Sequence, residues 1–343
     1  MADYPLSRLT YPTSALIPPV WLEIDTLDNF VVYNPAIVRF RHRLLMAYRV
    51  DSGRGATFQR RIGLCELDEQ LRVVAGSVRP FSATIRCGGE RHYDPRFLVY
   101  RDRLFLHYNN NFQTRPNHIF LVEVDPDTLF ARTPARPLEL TGPRQLIEKN
   151  WLLFDHEGDL FAVYQLAPHT ILRVNLAEDG PIECRPLYTT AWDVAAYTRQ
   201  YGPLGGGTPP VRQGDVYVSF FHSKQPLGRL YWLMRYWPVT PGTKLPRYLA
   251  AIERRLRRPL ELKRYVGGVY TFAATPPFRP LWMMPAPLLH PADERPYQRR
   301  VRTNPCADGI VYPCGSIPWG HDRWLVSYGV HDERCCLRCI TLA

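Results

Sequence analysis

Apolar and polar residues alternate with a period of two along much of this chain, in short runs bounded by Gly, Pro, Asn or Asp. That period belongs to strands, whose successive side chains point to opposite faces. One run opens at Tyr33-Asn34-Pro35 and closes through Leu44, Met46 and Tyr48. Sixty positions on, Tyr93-Asp94-Pro95-Arg96 opens a run that closes through Leu104, Leu106 and Tyr108. Three weaker copies follow. Glu148-Lys149-Asn150-Trp151 leads to Leu160, Ala162 and Tyr164, and Gly207-Thr208-Pro209-Pro210 leads to Val216, Val218 and Phe220. Val311-Tyr312-Pro313-Cys314-Gly315 leads to Trp324, Val326 and Tyr328. Each copy has a polar or Gly/Pro head, a brief apolar strand, a polar turn and a second strand ending in an aromatic. That order predicts a hairpin.

A third strand is expected after each hairpin: Arg61–Leu67, His118–Val124, Thr170–Leu176, Leu230–Tyr236 and Cys335–Leu342. The heads stand at 34, 94, 150, 208 and 314, so the spacing is near sixty until the last interval, which an insertion around 238–265 nearly doubles. Units of this length, built from three or four antiparallel strands, predict an all-β fold: a five-bladed β-propeller with a short, basic helical insertion late in the chain. The alternatives are an irregular β-sandwich or two β domains. The 343 residues suit one large repeat domain spanning 1–343. The 33 prolines and 20 tyrosines also favour strands over helices. In a propeller the heads converge at one end of the axis. Asn34, Asp94, Asn150, Gly206-Gly207-Thr208 and Gly315 would then form a polar, glycine-rich ring around one carboxylate.

The formal charge of +11 would suit anionic partners. The arginines are spread out, however, and no zinc-finger, RNA-binding or helix-turn-helix signature accompanies them, so nucleic-acid binding is not expected. The exception is the insertion segment 246–260. There Tyr248, Leu249, Ile252 and Leu256 fall on one helical face, and Arg254, Arg255, Arg257 and Arg258 cluster beside it. It reads as an amphipathic helix packed on the propeller, an anion contact, or an oligomer contact or lid. No apolar run reaches the ~18 residues that span a membrane, and no signal peptide is recognisable in 1–10. A cytoplasmic protein with reduced thiols is expected. Cys335, Cys336 and Cys339 read as small buried side chains split between strand faces, not as metal ligands.

Several segments together resemble glycoside hydrolase family 130 and the related glycosyltransferase family 108. They are the Asn34-Pro35 head, Arg60-Arg61-Ile62-Gly63, Tyr93-Asp94-Pro95-Arg96, Gly205-Gly206-Gly207-Thr208-Pro209-Pro210, Phe221-His222, Val311 to Gly315, and Tyr328-Gly329-Val330-His331-Asp332. Those families are five-bladed propellers acting on β-mannosides. The resemblance implies that Asp94 is the general acid that protonates the leaving glycosidic oxygen. It implies Asn34, Arg61 and Asp332 as sugar contacts beside Gly206 and Gly207. His222, Arg115 and Lys149 would hold phosphate, with a second phosphate arginine to be sought among Arg132, Arg136 and Arg144. Glu148 is the candidate base if water is the nucleophile. The implied activity is inverting phosphorolysis of a mannose-containing oligosaccharide, with inorganic phosphate or mannose 1-phosphate as co-substrate and no cofactor. A β-1,2-mannosyltransferase using a nucleotide sugar, a β-1,2-mannosidase and a non-catalytic glycan-binding propeller are the alternatives.

Overall fold

The computed structural model describes residues 8–53, 55–110, 117–145, 147–176, 179–227, 262–297 and 307–342. The expected third strand at 230–236, the basic helix at 246–260 and Arg115 lie outside the described residues. The chain is mainly β. The described residues hold two short α-helices, α1 (Pro19–Leu22) and α2 (Ala195–Tyr201). Among them no helix is long and apolar enough to cross a membrane.

The strands form successive antiparallel groups. After β1 (Leu9–Tyr11), the first group is β2 (Val31–Phe40), β3 (Arg43–Ser52) and β4 (Gln59–Leu67). The second is β5 (Tyr93–Tyr100), β6 (Arg103–Asn109), β7 (Ile119–Glu123) and β8 (Arg136–Leu140). The third is β9 (Leu152–His156), β10 (Asp159–Gln165), β11 (His169–Asn175) and β12 (Ile182–Thr190). In the fourth, β13 (Leu204–Gly206) and β14 (Val211–Gln213) both pair with β15 (Val216–Leu227), followed by β16 (Leu262–Ala273) and β17 (Pro280–Met283). The last is β18 (Ala307–Pro318), β19 (Arg323–Val330) and β20 (Arg334–Thr341), and β1 returns to pair with β20. Parallel contacts join β8 to β12 and β16 to β18.

The fourth group departs from the expected pattern in two ways. Its first strand is broken around Gly207-Thr208-Pro209-Pro210, because two successive prolines have no N–H to continue a ladder. Its next described strand is β16, which pairs with β15 along its whole length from Val216↔Ala273 to Leu227↔Leu262. The expected insertion boundary at 265 is therefore too late. Lys263 and Arg264 look like insertion because they are charged, yet they continue the ladder opposite Pro226 and Gln225.

Middle strands such as β3 are buried on both faces, since each group is covered on both sides by its neighbours. Five apolar clusters fill the spaces between consecutive groups. One of them packs Tyr11, Ile317, Leu325 and Cys335 against Ile37, Leu44 and Met46, joining the last group to the first. The arrangement is thus closed in a circle. First strands meet across the middle: β2 touches β5 and β18, and β5 touches β9. Cys335 and the adjacent Cys336 enter different clusters, as strand alternation requires, and both are free thiols.

Trp324 is buried in the cluster between the fourth and last groups, against Phe220 at a ring distance of 6.2 Å. Trp324→Ala is expected to cost about 3–5 kcal/mol in denaturant unfolding. A cost under about 1 kcal/mol would show that the two groups do not depend on each other's packing.

Candidate active site

The repeat heads are built alike in backbone as well as sequence. Asn34 and Asp94 both have φ 52, and Asn150 has φ 64. Left-handed backbone is uncommon outside glycine, and Asn and Asp tolerate it best. The ladder slips just there, between Tyr33 and Ala36 and between Tyr93 and Arg96. Such bulges re-aim a side chain. Here they bring two heads into contact: the Asn34 amide Nδ2 donates to Asp94 Oδ1 at 2.7 Å. Both residues are buried.

A charged network continues from Asp94 into the first group. Arg49 Nη1 lies 3.4 Å from Asp94 Oδ1. Its Nε and Nη2 donate to the two oxygens of Asp51 at 2.9 and 2.7 Å. Arg60 adds a second, looser fork to Asp51 at 3.2 and 3.3 Å, and the Tyr33 hydroxyl donates to it at 2.7 Å. The Arg49 guanidinium also lies 4.4 Å from the Tyr33 ring centre. Burial alone would raise the Asp51 pKa, but Arg49 and Arg60 outweigh it and hold the carboxyl below its ordinary value. Asp332 is the opposite case. Burial pushes it up to about 6, with Arg49 opposing and Asp94 and Asp51 adding to the rise.

The other side of Asp94 is held by Arg96, which is fully buried. Its Nε donates to the Gly207 carbonyl at 2.6 Å, Nη1 to the Asp94 carbonyl at 3.3 Å and Nη2 to the Tyr312 hydroxyl at 2.8 Å. Tyr312 in turn donates to Asn150 Oδ1 at 2.6 Å. His222 packs on the Tyr312 ring at 4.7 Å and contacts the Gly206 carbonyl through Nδ1 at 3.1 Å. A carbonyl only accepts, so Nδ1 carries the hydrogen and Nε2 is left as an acceptor. Gly205 makes room for this ring, since a Cβ there would lie 2.5 Å from it. Burial, reinforced by Lys224, Lys149 and Arg96, keeps the His222 pKa well below its ordinary value. Burial also lowers Lys149, which feels both Asp94 and Asp332. Lys224 falls to about 8 through burial and the nearby charges of Lys149 and Lys263.

The structure thus gathers Asn34, Asp94, Asp332, Lys149, His222 and the Gly206-Gly207 turn. Arg61 stands apart from them: it donates to Ser52 Oγ at 3.4 Å and lies 5.5 Å from the Trp21 ring. Its neighbour Arg60 joins the network instead, because alternate residues of a strand face opposite ways. Glu148 turns to the backbone N–H of Gln145 at 2.6 Å, and to Trp151 Nε1 and the Tyr164 hydroxyl at 3.3 Å each. Arg132 lies 3.9 Å from Glu123. Arg136 donates to the carbonyls of Gly180 and Asp179, and Arg144 to that of Asn117. Sequence reasoning missed Arg49, Asp51, Arg60, Arg96, Tyr312 and Lys224. A usable signal was present for the first two: Arg49 and Asp51 are charges at alternate positions directly after the apolar run Leu44–Tyr48 of the same strand. Among the described residues, no three His, Cys, Asp or Glu side chains gather as a metal-binding set.

Two outcomes follow from this geometry. A Cβ on Gly329 would lie 2.0 Å from Asn34 Oδ1, so Gly329→Ala is expected to push Asn34 off Asp94. A shifted Asn34 side-chain amide signal in NMR spectra, with a cooperative fold retained, would show this, and an unchanged signal would refute it. Asp332 is raised from an ordinary 3.8 to about 6, so the folded state holds its proton more tightly. The associated stability is full below about 4 and is lost as pH rises through 6. Relative to wild type, Asp332→Asn should therefore gain stability between pH 4 and 7 in denaturant titrations. A difference that does not change with pH would contradict the shift.

No protein-family model matches the sequence, and no curated protein matches it. Solved structures do match the fold. A β-1,2-mannobiose phosphorylase from Listeria innocua, solved with β-1,2-mannobiose, aligns at TM-score 0.58 and 14% identity, over 97% of this chain and 96% of that one. A mannose phosphorylase from Leishmania mexicana, solved with a phosphate ion, aligns at 0.56 and 12%, over 92% and 85%. A GDP-Man-dependent mannosyltransferase from the same organism aligns at 0.55 and 11%, over 93% and 88%. The chain has the fold of these mannoside phosphorylases and this mannosyltransferase, which are structures of the kind its repeat heads resemble.

Proposed function

We propose that this chain is a carbohydrate-active enzyme that acts with inversion on β-mannosidic bonds, as a phosphorylase using phosphate or, in reverse, mannose 1-phosphate. The strand groups are read as the blades of one five-bladed propeller, with the site at one end of its axis. The observation that carries the activity is a buried carboxylate, Asp94, within reach of several basic side chains. Asp94 sits beside Asn34 and Arg49, while Lys149 and Lys224, with the neutral ring of His222 between the charges, form a second set beyond Arg96 and Tyr312. Fixed basic side chains near one buried carboxylate favour a phosphate oxyanion.

In this reading Asp94 in its acid form gives its proton to the leaving glycosidic oxygen as the C1–O bond breaks. A phosphate oxygen forms the new bond to C1 from the opposite face, giving mannose 1-phosphate of inverted configuration. Phosphate is already an anion, so no carboxylate base is required. The Glu148 carboxylate, taken up by Gln145, Trp151 and Tyr164, lends the hydrolytic reading no second acid at this point. A nucleotide-sugar donor is the second reading, because the same cations suit a diphosphate.

Asp94→Asn is expected to lower mannose 1-phosphate release from β-mannobiose and phosphate by about 10²–10⁴-fold with the circular dichroism spectrum unchanged. Turnover equal to wild type would remove Asp94 as the acid. If the wild type acts on no β-mannoside with phosphate, water or mannose 1-phosphate, a glycan-binding propeller is favoured. Lys224 is cationic below about 8 and neutral above it. The KM for phosphate should therefore rise as pH increases past 8, and Lys224→Arg should flatten that rise. A profile identical in both proteins would exclude Lys224 from the phosphate site.

A further inference from the structure

A cleft of about 480 Å³ opens over the start of β4, outside the Asp94 network. Its inner wall is Arg60, whose guanidinium bonds Asp51 and lies 5.1 Å from the Tyr93 ring centre. Its outer wall belongs to the segment running into Tyr93 and Asp94, and includes Glu90 and Arg91. The cleft therefore starts beside the strand of Asp94, and Arg49 bridges Asp51 and Asp94.

The aromatic faces in this cleft are not bare. Arg60 and Arg91 lie 5.1 and 5.9 Å from the Phe58 ring centre, and Arg61 lies 5.5 Å from that of Trp21. Cation–π stacking fixes the guanidinium planes and leaves N–H edges available to hydrogen-bond acceptors. Three arginines thus line it against one carboxylate, Glu90. Arg60 is already paired with Asp51. Among the described residues, neither Arg61 nor Arg91 forms an ion pair, and the Arg61 side chain makes one long bond, to Ser52. Arg61 is only partly exposed, and burial lowers its pKa with Asp25 opposing. A half-buried guanidinium with one weak bond gains from an anion that brings two oxygens to it.

We infer that this cleft is an acceptor subsite for a sugar bearing an anionic substituent, a phosphate or a carboxylate, gripped by Arg61 and Arg91 while a hydroxyl of the same sugar faces the Asp94 centre. The acceptor role rests on the proposed function, whereas the anion contact does not. It separates two kinds of cation on this face. Lys149 and Lys224 serve the anion that reacts, and Arg61 and Arg91 serve one that is only recognised.

The test is calorimetric titration of the full-length protein at low salt with mannose 6-phosphate, mannuronate and methyl α-mannoside. At least one anionic sugar should bind about tenfold or more tightly than the neutral one, and the advantage should fade as salt is added. A gain for one acid alone identifies the substituent and supports the site. Arg61→Gln with Arg91→Gln should erase the advantage. Arg91→Gln alone should weaken it, and Arg91 is exposed, so that variant leaves folding untouched. An advantage that survives the double change, or disappears with Lys224→Gln instead, would overturn the inference. If the wild type turns over no β-mannoside but the preference still follows Arg61 and Arg91, the anion site stands and the enzymatic reading falls.

Discussion

One guanidinium holds the centre together. Arg49 grips both oxygens of Asp51 and reaches Asp94, so it compensates two buried carboxylates at once. Charges taken out of water persist only when paired and hydrogen-bonded, and removing one partner of such a set typically costs about 3–5 kcal/mol. The rest of the local electrostatics depends on this pairing. Asp51 stays ionised because Arg49 and Arg60 outweigh its burial, whereas Asp332 lies within reach of the same charges without a comparable fork and is driven toward its neutral form. One cluster therefore holds carboxyl groups in different states, a condition under which acid and binding roles can be divided.

Arg96 plays the complementary part in the backbone. It is the residue after Asp94-Pro95, and it ties the second strand group to Gly207 of the fourth and Tyr312 of the last, with Asn150 of the third reached through Tyr312. A strained, left-handed head can persist only where its surroundings over-determine it. The hydrogen bond from Arg96 to the Asp94 carbonyl and that from Asn34 to its carboxylate supply that restraint from two sides. The backbone position and the charge pairing of Asp94 are thus set by different neighbours.

Much of the architecture was legible along the chain. The recurring heads, polar turns and closing aromatics located β2, β3, β5, β6, β10, β15 and β19, because short apolar runs between turn residues mark strands even when both faces are buried. Asp94 was legible as the acidic member of a repeated head. Less visible were β8, β12, β17 and β1, which are short or partly exposed and carry weak alternation. The start of β16 was not read as strand because Lys263 and Arg264 break the apolar rhythm that marks one.

By itself, the sequence determined the repeat, the strand-rich fold and the odd carboxylate at its second head, since these follow from local periodicity and residue type. Tertiary structure alone decided which charges meet. Arg49 and Asp94 are 45 positions apart, and Arg96 and Tyr312 are 216 apart. Ladder register chose Arg60 over Arg61 for the Asp51 pair, and chain closure placed His222 on Tyr312. A pattern along one dimension specifies which face a residue takes within its strand. Which faces converge is decided only when packing brings the strand groups around a common centre.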